Sequence, residues 1–239
     1  MFAIALSELF QMFRNRAVLI NTLIIPLLAS VYFIYNREVF DTFGSNGHIG
    51  AMLVFTIGAF SLYAGSVTIL AARRQNLLLK RLRSSAASDP AILSGLVTPI
   101  TLVSLAQVGV ILIAFAAVTD TPVDLVLLMV AIGAIFAMAL ALGMATAGLT
   151  SSPEQAQVTT LPLSLGLIGV SIWIAASGTE SMTVLKRLVP GGAATELVAN
   201  AWDGGVPLED SLLLLVPTLG WVVVAIMIAT RLFRWEPRR

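Results

Sequence analysis

Across 239 residues the chain is 58% hydrophobic and 11% charged, with a formal net charge of +1 and a mean hydropathy of +0.94, whereas soluble domains carry about a quarter charged residues. Those values exclude an ordinary soluble domain and describe an integral membrane protein. Cysteine is absent, which excludes disulfides, zinc-thiolate sites and thiol nucleophiles, and the near-neutral charge gives no reason to expect nucleic acid as a partner.

Residues 1–16 read as an amphipathic interfacial helix. Phe2, Leu6, Leu9 and Phe13 recur at helical spacing, with Ser7, Glu8, Gln11 and Arg14 on other faces, the pattern of a helix lying along a membrane surface. A plain extension of the first span is the alternative. No basic region precedes these apolar residues and the next apolar stretch is too long for a signal-peptide core, so no cleaved leader is expected. Six apolar stretches fill 17–239: Ala17–Tyr35, Ile49–Ala72, Ala91–Val118, Val123–Leu149, Val158–Ala176 and Ser211–Thr230. Each reaches the ~20 residues needed to cross about 30 Å of hydrocarbon. The predicted fold is all-α, a polytopic bundle of six transmembrane helices.

Lysine and arginine sort by connection. With the N-terminus inside, Arg14, Arg16, Arg73, Arg74, Lys80, Arg81, Arg83, Arg231, Arg234, Arg238 and Arg239 share one side. Only Arg37, Lys186 and Arg187 fall on the other, together with Glu38, Asp41, Asp120, Asp124, Glu180, Glu196, Asp203, Glu209 and Asp210. Because positive charge is retained on the cytoplasmic side, both termini are expected to be cytoplasmic.

The loop 73–90 carries five of those positive charges against Asp89, yet also holds Leu77, Leu78, Leu79 and Leu82. Leu78 and Leu82, four apart, would share a helical face flanked by Lys80, Arg81 and Arg83, before Ser84–Pro90 ends the helix. Such a helix docks on a partner or lies on anionic headgroups.

Within the spans the polar groups are neutral: Asn21, Thr22, Ser61, Ser66, Gln107, Thr159 and Thr160. Ion-coupled carriers commonly place Asp, Glu or His there, so the energy for transport is expected to enter from outside the bilayer. Asn21 and Gln107 are candidates for a substrate path, against the commoner use of such residues in interhelical hydrogen bonds. Pro26, Pro99, Pro162 and Pro217 are expected to kink four spans. Gly58, Gly65, Gly143, Gly166 and Gly169 are expected to let helices approach closely. An intramembrane hydrolase would need the only histidine, His48, beside Ser45 or Ser61, and a capping histidine is the plainer reading. The sequence has neither the histidine and carboxylate clusters of a metal site nor a phosphate-binding G-x-x-x-x-G-K-[S/T] loop.

Four features resemble, in order and spacing, the membrane subunits of ABC-2 type transporters, the permease half of an ATP-binding-cassette exporter. They are the amphipathic entry helix, Lys80-Arg81-Leu82-Arg83-Ser84-Ser85 followed by Ala91-Ile92-Leu93-Ser94-Gly95, Leu188-Val189-Pro190, and the terminal Arg231-Leu232-Phe233-Arg234. The resemblance covers essentially the whole chain. Two departures stand out: Arg74-Gln75-Asn76-Leu77-Leu78 occupies the place of an acidic residue and a Gly-Thr pair, and Ala86 replaces the usual proline, with a proline only at Pro90.

The resemblance implies that Leu77, Leu78, Lys80, Arg81, Leu82 and Arg83 form a coupling helix seated on an ATPase subunit, with Phe10, Phe13, Arg14 and Arg16 near the same subunit. It implies two ATPase copies holding ATP and magnesium, no cofactor in this chain, and a second membrane subunit, identical or related. It also implies export across a cell membrane, the prokaryotic inner or plasma membrane, and short helices dipping into the outer leaflet within 177–210; a surface-lying loop is the alternative there. Few charges along the path point to a hydrophobic or amphipathic cargo such as a drug, antibiotic or lipid. Polysaccharide export, or a carrier or channel without an ATPase, are the alternatives.

Overall fold

The computed structural model describes residues 16–42, 44–84 and 88–233, and the regular structure among them is helical. Phe10, Phe13 and Arg14 lie outside the described residues, as do the side chains of Arg16 and Arg83. The first rod runs from α1 (Arg16–Leu19) through a π-helical segment (Ile20–Ile24) into α2 (Ile25–Tyr35), followed by the short α3 (Arg37–Asp41). A second rod comprises α4 (Asn46–Ile57), a π-helical segment (Gly58–Tyr63) and α5 (Ala64–Gln75). Then come α6 (Leu78–Arg83), α7 (Asp89–Ala116), α8 (Leu125–Ala147), α9 (Pro153–Ser177), α10 (Thr183–Leu188), α11 (Gly192–Asp203), α12 (Leu208–Leu213) and α13 (Leu215–Leu232).

Among the described residues five helices are long and apolar enough to cross a membrane: Asn46–Gln75, Asp89–Ala116, Leu125–Ala147, Pro153–Ser177 and Leu208–Leu232. The first expected span falls on the rod α1–α2, whose apolar part, Ile20–Tyr35, is shorter than the others. Caps explain where the long helices begin. Ser45 caps α4 reciprocally with His48, Asp124 accepts from the Leu127 amide at the start of α8, and Ser152 with Pro153 starts α9; each side chain satisfies an amide the first turn leaves orphaned.

The second rod is the hub. It is buried over most of its length and packs against α2, α7, α8, α9 and α11. At Gly143 of α8 an added Cβ would stand 2.1 Å from Ser66 Oγ, so that glycine sets the distance between α5 and α8. Gly65 is similarly tight, 3.0 Å from Thr22 Cγ2. Gly166 and Gly169 are not packing glycines: nothing lies within 4 Å of a Cβ built on either, and they sit on an exposed face of α9. Pro99 and Pro162 lie inside helices. Pro26 and Pro217 instead follow irregularities, the first π segment and the break at Leu214.

Connections gather at two opposite ends of the bundle. At the basic end Gly148 lies against Leu232 and α6 packs on α5 and α7. At the acidic end the Val123 and Asp124 amides donate to the Trp202 and Ala201 carbonyls, which joins the start of α8 to the last turn of α11.

Candidate functional site

A cavity of about 400 Å³ opens between the first rod, the second rod and the start of α9. Its walls include Asn21, Thr22, Phe60, Gly65, Thr68, Glu154, Gln157 and Thr160. The three threonine hydroxyls are turned back onto their own helices: Thr22 donates to Val18 O at 2.8 Å, Thr68 to Ala64 O at 2.9 Å and Thr160 to Ala156 O at 2.7 Å. That leaves the Asn21 and Gln157 amides as the polar groups offered to a ligand, the Glu154 carboxylate already accepting from the Ser152 hydroxyl and its own amide. The rest of the wall is hydrocarbon and the Phe60 ring, a lining suited to a mostly apolar molecule held by a few polar contacts.

Both π segments border this region and touch each other. In the first, the Ile25 amide reaches back to Ile20 O; in the second, the Ala64 amide reaches back to Ala59 O. Each is a five-residue step that widens the turn, a feature often found at functional sites. Gln107 of α7 binds both: its Oε1 accepts from Ser61 Oγ at 2.8 Å and its Nε2 donates to Leu23 O at 3.4 Å, while Ser61 and Ser104 hydroxyls pair at 2.8 Å. The two candidate path residues therefore separate. Asn21 faces the cavity. Gln107 is 9% exposed, spends its amide on neighbouring helices, and borders a different, apolar crevice with Leu23, Leu27, Val103 and Val110.

At the basic end, α6 follows a left-handed residue, Leu77, with φ 58°. That turn resets the helical phase, so the residue buried against α5 and α7 is Leu79, at 0% exposure, with Leu82 packed beside it. The shared Leu78 and Leu82 face expected from the sequence is thus partly an inward face. Leu77, Lys80 and Arg81 are exposed. Leu79 was the missed residue; a run of three leucines gives no sign of which faces inward until the turn at Leu77 is fixed.

The acidic end brings together Ser45, His48 and Asp203. Ser45 Oγ donates to Asp203 Oδ2 and lies 2.7 Å from His48 Nδ1, while Asp203 Oδ1 also accepts from the Gly47 amide at 3.0 Å. A nucleophilic triad places the imidazole between serine and carboxylate. Here the carboxylate accepts the serine hydroxyl's hydrogen bond directly, so the cluster is the cap of α4 clamped by the end of α11. Nearby, Arg187 pairs with Glu196 at 2.6 Å, and those hydrogen bonds raise the arginine pKa above its ordinary value. Lys186 is 1% exposed and its Nζ donates to Gly178 O at 2.6 Å. Two of the three cations expected outside are thus held by local partners. Among the described residues no cluster of three histidine or carboxylate side chains could hold a metal.

No curated protein matches the chain in sequence. The family model for the ABC-2 type transporter membrane domain matches residues 1–173, which takes in α6, both π segments and every wall of the cavity. The chain, helical in its described residues with several membrane-length helices among them and matched over most of its length, belongs to the ABC-2 type transporter family as a membrane transport subunit.

Proposed function

We propose that the chain is the six-span permease subunit of an exporter in a cell membrane, with both termini cytoplasmic and transport driven by two copies of a separate ATPase. The mounting of α6 carries this reading. A short cationic helix is fixed to the bundle through Leu79 while Leu77, Lys80 and Arg81 are exposed at the surface. A helix seated on the bundle with an exposed cationic face transmits a push better than a flexible loop, and α5 joins it directly to the second π segment. The cavity receives a hydrophobic or amphipathic cargo with Asn21 and Gln157 as its polar contacts. Open space over Gly166 and Gly169 on α9 leaves room for close approach of a second membrane subunit.

The test is mass spectrometry of the complex purified in mild detergent through a tag on this chain. A stoichiometric, separately encoded ATPase is the expected outcome; its reproducible absence under conditions that preserve known assemblies would sink the reading in favour of a carrier or channel. Leu77→Asp with Arg81→Glu is then expected to lower ATPase recovery at least about tenfold, the effect of losing central contacts in an interface, with membrane insertion unchanged.

A further inference from the structure

Helix α10 is inside out. Its Lys186 is 1% exposed, whereas Val184, Leu185 and Leu188 are 72%, 53% and 59% exposed. Removing an ammonium from water is costly, and it is tolerated where fixed dipoles replace the lost water. Those dipoles are in place: Lys186 Nζ donates to Gly178 O at 2.6 Å, Ser177 O at 3.4 Å and Ser181 Oγ at 3.3 Å, and lies 5.3 Å from the centroid of the Trp173 ring. Ser177 is the last residue of α9 and Gly178 its C-cap. The ammonium therefore sits at the negative end of that helix dipole and over the face of an aromatic ring carried by the same helix.

What Lys186 joins is the point. Helix α9 lines the cavity at its other end through Glu154, Gln157 and Thr160. On the far side, a Cβ added at Gly192 would stand 1.7 Å from Lys186 O, so the lysine backbone and the start of α11 move as one piece. Helix α11 packs along α9 directly, whereas α10 is tied to the end of that cavity-lining helix through one buried cation. If α9 shifts, the carbonyls leave the ammonium and nothing apolar can replace them, so the contact is either made or broken.

We propose that Lys186 is a positioning residue for transport: its ammonium holds the α10–α11 hairpin closed against the end of α9, and parting of that contact opens the acidic face for departing cargo. This rests on the exporter reading above. The cysteine-free chain allows a direct test, because Leu167, 2% exposed, lies where a Cβ on Gly191 would come within 3.3 Å of it. Leu167→Cys is placed in the full complex in native membrane vesicles, and its reaction with a membrane-impermeant maleimide applied to the acidic face is timed with and without Mg-ATP. The thiol is expected to be protected in the parent and in Lys186→Arg without nucleotide. Lys186→Met is expected to react about tenfold faster, as when a local opening equilibrium shifts, and Lys186→Arg to keep the parent response to ATP.

Labelling of Lys186→Met within about twofold of the parent would overturn the proposal. So would an equal acceleration in Lys186→Arg, since that variant keeps the charge. Should Lys186→Met fail to accumulate, Trp173→Leu carries the same test: it keeps the ammonium but removes the ring beneath it, and unchanged labelling there overturns the proposal equally. If Lys186→Met labels fast while ATP alters no variant, the contact stands and the ATP-driven reading fails instead.

Discussion

Gly192 makes the sharpest demand on residue identity, because its backbone passes so close to the Lys186 carbonyl that no side-chain carbon fits. Gly192→Ala is expected to lower stability by about 1–3 kcal/mol, the usual cost of forcing extra volume into packed structure. Gly133→Ala, with nothing within 4 Å of the added carbon, should be neutral or slightly stabilising, since alanine favours a helix by about 1 kcal/mol over glycine. Melting the two variants in the same detergent checks this; equal melting temperatures would contradict the close approach. Neither glycine could be graded from sequence. Gly166 and Gly169, expected to pack, face open space, while Gly192, in the run Pro190-Gly191-Gly192, is pressed against the Lys186 carbonyl. Whether a missing side chain matters depends on what lies opposite, and in this chain the opposing atoms often come from another element. Leu79 teaches the same point, its burial being decided by one left-handed residue two positions earlier.

Helices were the most legible elements, since twenty consecutive apolar residues can do little else in hydrocarbon. Their ends were less so. Helix α9 starts at Pro153 rather than Val158 because Ser152 caps a first turn of polar residues, which hydropathy counts against a span. The two π segments left no trace in composition: one inserted residue in a helix costs no particular side chain, and both lie in runs that read as ordinary apolar helix. What holds them is Gln107, a residue whose sequence reading was divided between path and bridge. Gln107→Leu is expected to cost about 0.6 kcal/mol for each interhelical bond lost, and no more than about 1.7. A double-mutant cycle with Ser61→Ala should show the two losses to be non-additive. Additive losses would mean that the bridge carries no shared energy.

At the scale of the molecule, the sorted charge is the feature that both sequence and structure express. The basic connections around α6 and the end of α13 lie opposite the acidic connections that hold α10 and α11, and burial of Lys186 with pairing of Arg187 explains two of the cations on the acidic side. Single cysteines placed in this cysteine-free chain read the orientation directly. In intact cells Val206→Cys is expected to react with an impermeant maleimide and Ser84→Cys to react only after permeabilisation; the reverse pattern would invert the topology. The seat of α11 has a consequence for how the protein is made. Gly47 and Gly50 of α4 lie against Ala199, Asp203 and Trp202, and the first turn of α8 hangs on the last carbonyls of α11. Those partners leave the ribosome some 150 residues after α4 does. Through most of synthesis the first and third of the five long helices, those of α4 and α8, wait in the bilayer with a finished face and nothing to set against it. A nascent chain stalled after α9 is therefore the species that membrane quality-control proteases should recognise first, and the arrival of α11 is what removes it from their reach.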